Sequence, residues 1–156
     1  MKKTILSAAF LLFAFAISAQ SPFNGTWKIN KDKSNVPTDQ LYLSQISVMV
    51  RGDSLLTTRT YSDPNGQEYP FDENMTFDGK EAKINIYDMP RVSKAQKGPD
   101  GTIIIDSRTT FNGGGGEDSL VAKESWKSDG NSLSIDQTIQ MSGQEFKGIF
   151  VYDKVK

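Results

Sequence analysis

From Gly25 to the end of the chain, apolar and polar residues alternate in short runs. That is the period of an extended strand with one buried face. Ile46, Val48 and Val50 share one parity; so do Ala82, Ile84 and Ile86, then Ile103, Ile105 and Phe111, with Ser107 and Thr109 between them. The alternation continues through Leu120, Ala122 and Trp126, through Leu133, Ile135, Ile139 and Met141, and through Phe146, Phe150 and Tyr152. The opposite parity of these last runs carries Lys123, Ser125, Lys127, Ser134, Asp136, Thr138, Glu145, Lys147 and Asp153, so one face is wet. Turn signals divide the runs at Gly52-Asp53, Pro64-Asn65-Gly66, Asp78-Gly79, Asp88-Met89-Pro90, Pro99-Asp100-Gly101, Gly113 to Gly116, Asp129-Gly130-Asn131 and Ser142-Gly143. Asn-Gly and Asp-Gly pairs tolerate the positive φ of tight hairpins, so most joints are expected to be antiparallel. A one-sided meander of this length removes its edges by closing. The pattern therefore predicts an all-β fold, a single up-and-down antiparallel β-barrel of about ten strands.

The first strand is expected at Phe23-Asn24-Gly25-Thr26-Trp27-Lys28-Ile29, where Phe23, Gly25, Trp27 and Ile29 face one way and Trp27 plugs one end of the core. Asn30 to Tyr42 is polar, contains Pro37 and has no helical period; it reads as a connector across one mouth. The Gly113 to Gly116 run has neither a following helix pattern nor Gly-Lys-Ser/Thr, so it reads as a hairpin tip rather than a phosphate loop.

Ahead of this lies Met1-Lys2-Lys3, an apolar run from Ile5 to Ile17 broken only by Ser7, and the small residues Ser18-Ala19 before Gln20. The run is too short for a membrane span, which needs roughly 20 residues, and fits a secretory signal peptide over residues 1–19. Residues 20–156 then form one domain. Loss of Lys2 and Lys3 with the leader leaves 16 of the 18 basic residues against 19 acidic ones, a net charge of −3. No basic stripe suits nucleic acid, and no later run suits insertion into a membrane. With no cysteine there is no disulfide and no acylation site for a lipoprotein. The expected product is periplasmic or secreted, and a monomer.

The sequence has no histidine and no cysteine, which excludes Ser-His-Asp and Cys-His hydrolysis and the usual nitrogen and sulfur zinc sites. Asp63-Pro64-Asn65-Gly66-Gln67-Glu68 has a calcium-like composition but not the spacing of an EF-hand loop, and reads as a turn. Neither a metal nor a cofactor is expected. Carboxylate-only glycoside chemistry stays formally open, with no assembled pair to support it. Glu124 alone stands out, because it shares the inward parity of Leu120, Ala122 and Trp126. A buried charge needs a partner, such as Arg59 on the face of Leu55, Thr57 and Tyr61, or else a hydrated cavity. Glu124 reads either as a polar anchor for a ligand or as a mouth residue reaching water. Ser107, Thr109 and Gln137 also fall on the inward parity, and several inward polar groups suggest interior water or a ligand with hydrogen-bonding needs. The candidate ligand-binding residues are Trp27, Arg59, Tyr61, Glu124, Trp126, Gln137 and Tyr152, with no catalytic set.

The Gly-x-Trp of Gly25 to Trp27 resembles the first strand of the calycin superfamily, the lipocalins and fatty-acid-binding proteins. Phe150-Val151-Tyr152-Asp153-Lys154 resembles the last strand of the fatty-acid-binding branch. Together with Asp129-Gly130-Asn131-Ser132-Leu133-Ser134-Ile135, the chain is most similar to secreted bacterial lipocalin-like domains. The resemblance implies a barrel of eight to ten strands around a site for a small apolar molecule, closed at its base by Trp27. It also marks departures. Phe150 and Tyr152 stand where the fatty-acid-binding branch carries Arg-x-Tyr, and the thirteen residues from Asn30 to Tyr42 are too few for a helix-turn-helix lid. Lipocalins carry an arginine near the end that packs on the tryptophan; here no arginine follows Arg108, which leaves Lys147 or Lys154 for that place. The expected function is a non-enzymatic binding module for a small, mainly apolar ligand. The alternative is a solid scaffold that docks a cell-envelope protein or polysaccharide through its loops, such as Asn112 to Asp118.

Overall fold

The structure, a computed structural model, describes residues 20–36, 39–113 and 116–156. The expected leader, Pro37 and the middle glycines of the Gly113 to Gly116 tip lie outside them. Ten strands follow in order: β1 (Gly25–Ile29), β2 (Tyr42–Arg51), β3 (Ser54–Ser62), β4 (Glu68–Thr76), β5 (Ala82–Ile86), β6 (Met89–Lys97), β7 (Ile103–Gly113), β8 (Gly116–Ser128), β9 (Ser132–Met141) and β10 (Gln144–Lys154). One 3-10 turn, Pro99–Gly101, joins β6 to β7. All pairings within the sheet are antiparallel, in the order β4-β3-β2-β1-β10-β9-β8-β7-β6-β5. β1 and β10 join the two ends of the meander, with Trp27 opposite Lys154 and Ile29 opposite Tyr152. The all-β, ten-stranded up-and-down barrel is as expected.

Closure is nearly complete. β4 and β5 are the two ends of the sheet and share no ladder. Side chains and a single bridge span the gap: Asp78 pairs with Gln96, and the Tyr87 hydroxyl donates to the Pro70 carbonyl at 2.8 Å.

The inward parity fills one end of the barrel. Phe23, Trp27, Ile46, Leu55, Met75, Ile103, Ile105, Trp126, Leu133, Ile135 and Tyr152 are all buried there, around the β2–β3, β6–β7 and β8–β9 turns. Trp27 is fully buried, and its indole N–H donates to the Phe23 carbonyl at 2.8 Å, so the first strand is sealed by its own preceding residues. Gly25 has a φ of +140°, where a Cβ is strained and would lie 2.7 Å from Lys154 Cε. That gives a physical reason for glycine two residues before the tryptophan. Lys154 in turn sets its ammonium 5.2 Å from the Trp27 ring centroid, so the cation on the indole is a lysine.

A bulge between Leu43 and Gln45 alters the parity at the start of β2. Leu43 pairs with Tyr61 and packs against the core, although simple alternation from Ile46 would point Ser44 inward.

Candidate functional site

Halfway along the interior, β3, β4, β6, β8 and β9 each place polar side chains on the inward face, and these meet as one charged layer. Arg59 on β3 donates from Nη1 to Glu124 Oε1 and from Nη2 to Glu124 Oε2, both at 2.9 Å. Glu124, on β8, also accepts the Trp126 indole N–H at 2.7 Å and the Gln137 amide at 3.1 Å. On the other side Arg59 Nε lies 3.6 Å from Glu73 of β4. Glu73 accepts from Arg91 Nε at 2.9 Å and from the Ser93 hydroxyl, both on β6. Arg91 Nη1 reaches Thr109 on β7 at 3.3 Å. The layer therefore crosses the gap between β4 and β5, and Glu73 with Arg91 connects by side chains what the backbone leaves open.

Burial raises the cost of every one of these charges, and the layer repays it with short charge-assisted contacts. Arg59 and Glu124 are buried almost completely. Desolvation pushes the Glu124 carboxyl up, but the Arg59 charge and its hydrogen bonds, Arg91 and the Trp126 N–H outweigh it and hold it below the usual carboxylate range. Glu73 is likewise held low: burial opposes, and Arg59 and Arg91 prevail. Burial pushes the phenols of Tyr61 and Tyr152 up. Both stay neutral at ordinary pH.

The layer separates two unlike halves. Beneath it Trp126 lies under the Arg59 guanidinium, 5.2 Å from ring centroid to Cζ, within the filled end. Beyond it, toward the Asn30 to Tyr42 connector, the inward residues Leu43, Tyr61, Phe71, Leu120 and Ile139 are only half-buried. Tyr61 and Phe71 stack with centroids 6.0 Å apart. At the rim Met141 and Phe146 are 37% and 51% exposed. This half, the cup, presents partly exposed apolar side chains above the ionic layer.

Of the candidate residues, the fold brings Arg59, Glu124, Trp126 and Gln137 into direct contact. Tyr61 lines the cup beside Arg59. Tyr152 sits near it with its hydroxyl donating to the Leu43 carbonyl at 3.3 Å. Trp27 lies in the filled half, away from the layer. Glu73, Arg91 and Ser93 complete the layer and were not among the candidates. Their signal was the same alternation: Glu73 shares parity with Tyr69, Phe71 and Met75, and Arg91 with Ser93 and Ala95. Among the described residues no group of three or more acidic side chains is placed to hold a metal. Two open grooves lie on the outer surface. One is bordered by Thr26, Ser47, Met49, Leu56, Thr58 and Asp72, the other by Asp118, Gln140 and Glu145 near the β9–β10 turn.

No family model and no curated protein matches the sequence. Among solved structures the chain is similar to the ileal bile acid-binding protein of zebrafish, complexed with cholic acid, with a TM-score of 0.54, 16% identity and coverage of 86% of this chain and 100% of that one. It is also similar to the fatty-acid-binding protein isolated from Manduca sexta, with a TM-score of 0.44, 15% identity and coverage of 84% and 98%. At 16% identity the first likeness concerns the fold alone, a ten-stranded antiparallel barrel.

Proposed function

We propose that the chain is an exported, non-enzymatic barrel that takes a small, mainly apolar molecule into the cup above the Arg59–Glu124 layer. One observation carries this reading: most inward apolar residues at the Trp27 end are buried, whereas Tyr61, Phe71, Leu120 and Ile139 at the connector end are only half-buried. A folded chain that seals its core at one end has no stability reason to leave Leu120 and Ile139 half-wetted at the other, whereas a binding site needs such a surface. The zebrafish ileal bile acid-binding protein, similar in fold, is complexed with cholic acid. Export rests on the leader-like residues 1–19, and places the mature protein in the periplasm or the medium.

The test is native mass spectrometry of the protein isolated without detergent from its own cell envelope, alongside its thermal unfolding with and without the extracted lipids. A retained small molecule and a raised melting temperature are expected. By mass action, ligand at 100 times its Kd adds about 2.7 kcal/mol. Leu120→Trp and Ile139→Trp, which fill the cup, should abolish retention. An empty protein with an unmoved melting temperature overturns the reading.

The second reading is a solid scaffold docking an envelope protein or polysaccharide. The filled lower half and the position of both grooves on the outer surface favour it. Capture of such a partner by a protein carrying the cup-filling tryptophans would decide for it.

A further inference from the structure

The charge balance of the interior layer bears on what the ligand's polar end must be. Four buried ionised side chains form the layer, Arg59 and Arg91 against Glu73 and Glu124, so its net charge is zero. Every carboxylate oxygen is already engaged. Glu124 Oε1 takes Arg59 and Gln137, and Oε2 takes Arg59 and Trp126. Glu73 Oε1 takes Arg91 and Ser93, while Oε2 faces Arg91 Nη2 at 3.5 Å and Arg59 Nε at 3.6 Å. Arg59 Nε has no hydrogen-bond partner, but each guanidinium is already matched in charge by a carboxylate, and an incoming anion would meet two buried carboxylates. A cation would meet two guanidinium groups. Bringing either into a compensated low-dielectric layer leaves one charge unpaired.

Among the described residues four buried side-chain atoms have no hydrogen-bond partner: Arg59 Nε, Asp106 Oδ1, Thr57 Oγ1 and Ser107 Oγ. Thr57 lies opposite Glu73 in the β3–β4 ladder, and Ser107 opposite Ser93 in the β6–β7 ladder, so the two hydroxyls flank the layer. A hydroxyl both donates and accepts. Both hydroxyls lie on the filled side of Arg59 and Arg91, where the natural complement is a water.

From this balance we infer that the interior ligand is electrically neutral, as a long-chain or polycyclic alcohol is, and is not a fatty anion. The inference rests on the binding reading above. The full mature chain is titrated near pH 7.5 with three probes of equal chain length, hexadecan-1-ol, hexadecanoate and hexadecylammonium. Tryptophan emission and the melting temperature are followed. The alcohol is expected to bind at least about tenfold more tightly than either ion. Hexadecanoate binding as well as or better than the alcohol overturns the neutral class and leaves the binding reading standing; so does hexadecylammonium. Failure of all three overturns the inference and counts against the binding reading as well. Removing one negative charge should admit the anion, so Glu124→Gln is expected to gain about tenfold for hexadecanoate. Glu73→Gln makes the same test if the first variant does not fold. A folded variant of either kind without that gain overturns the inference.

Discussion

Arg59 and Glu124 meet as a two-pronged pair, each guanidinium Nη donating at 2.9 Å to a different oxygen of one carboxylate, with both side chains out of water. Sixty-five residues separate them, so the pair locks β3 to β8 across the inside of the barrel. Breaking such a pair from one side costs about 3–5 kcal/mol, because the remaining charge stays buried without compensation. Arg59→Met is therefore expected to lower stability by about that much. The double variant Arg59→Met with Glu124→Gln should lose less than Arg59→Met alone, since the glutamine is uncharged yet still accepts from the Trp126 indole. Urea unfolding of the three proteins measures this, and a double variant no more stable than Arg59→Met would contradict it.

The same pair sets the response to acid. Glu73 and Glu124 are held below the usual carboxylate range, so their folded pKa lies under the unfolded value of about 4.3. Such groups contribute stability that is fully present above that value and is lost as the pH falls through the folded pKa. The melting temperature should accordingly fall steeply below about pH 4. In Arg59→Met the neighbouring cation is gone, burial dominates and the Glu124 pKa rises. A raised pKa contributes stability present at low pH and lost as the pH climbs, so this variant should melt higher near about pH 5 than near pH 7. Melting curves across that range give the sign directly; a variant with the wild-type pH slope refutes the account.

The strands were readable because alternation, once one face is buried, leaves few other solutions. Ile46 and Val48, or Leu133 and Ile135, each announce a core face, and the hairpins between runs announce their own turns. Arg59 and Glu124 were readable for the same reason, as charges standing at inward parity. Glu73 and Arg91 stand at that parity too, but β4 and β6 carry Asp72, Asn74, Pro90 and Lys94 and so few aliphatic residues that their buried face is hard to tell from their wet one. The unladdered gap between β4 and β5 had no local signal, because whether two strands share hydrogen bonds depends on the curvature of the whole sheet. Nor did the bulge at the start of β2, where Leu43 rather than Ser44 turns inward.

That gap makes Glu73 and Arg91 more than an ion pair. With no backbone ladder between β4 and β5, the two sheet ends are held together by the contacts of Glu73 with Arg91 and Ser93, by Tyr87 on Pro70 and by the Asp78–Gln96 bridge. Arg91→Met should leave most of the barrel intact and loosen this seam. Amide hydrogen exchange is expected to quicken in β4 and β5 by a larger factor than in β8, β9 and β10, which are laddered on both sides. Uniform acceleration over all ten strands would mean that the pair stabilises the fold globally instead.

At the sealed end, Trp27 offers an independent measure of what the first strand contributes. Its ring is fully buried, its N–H donates to the Phe23 carbonyl at 2.8 Å, and the Lys154 ammonium lies 5.2 Å from the ring centroid. Trp27→Ala empties a large core position and should cost about 3–5 kcal/mol. Trp27→Phe keeps an aromatic ring but loses volume and leaves the Phe23 carbonyl without its donor, which alone costs about 1–3 kcal/mol. Lys154→Met removes only the cation, while its aliphatic stem still covers the indole, so the loss should be about 0.5–1 kcal/mol. The expected order of destabilisation is Trp27→Ala, then Trp27→Phe, then Lys154→Met, read from chemical denaturation midpoints. A Lys154→Met loss as large as that of Trp27→Phe would show that the lysine, rather than the buried indole and its hydrogen bond, closes this end of the barrel.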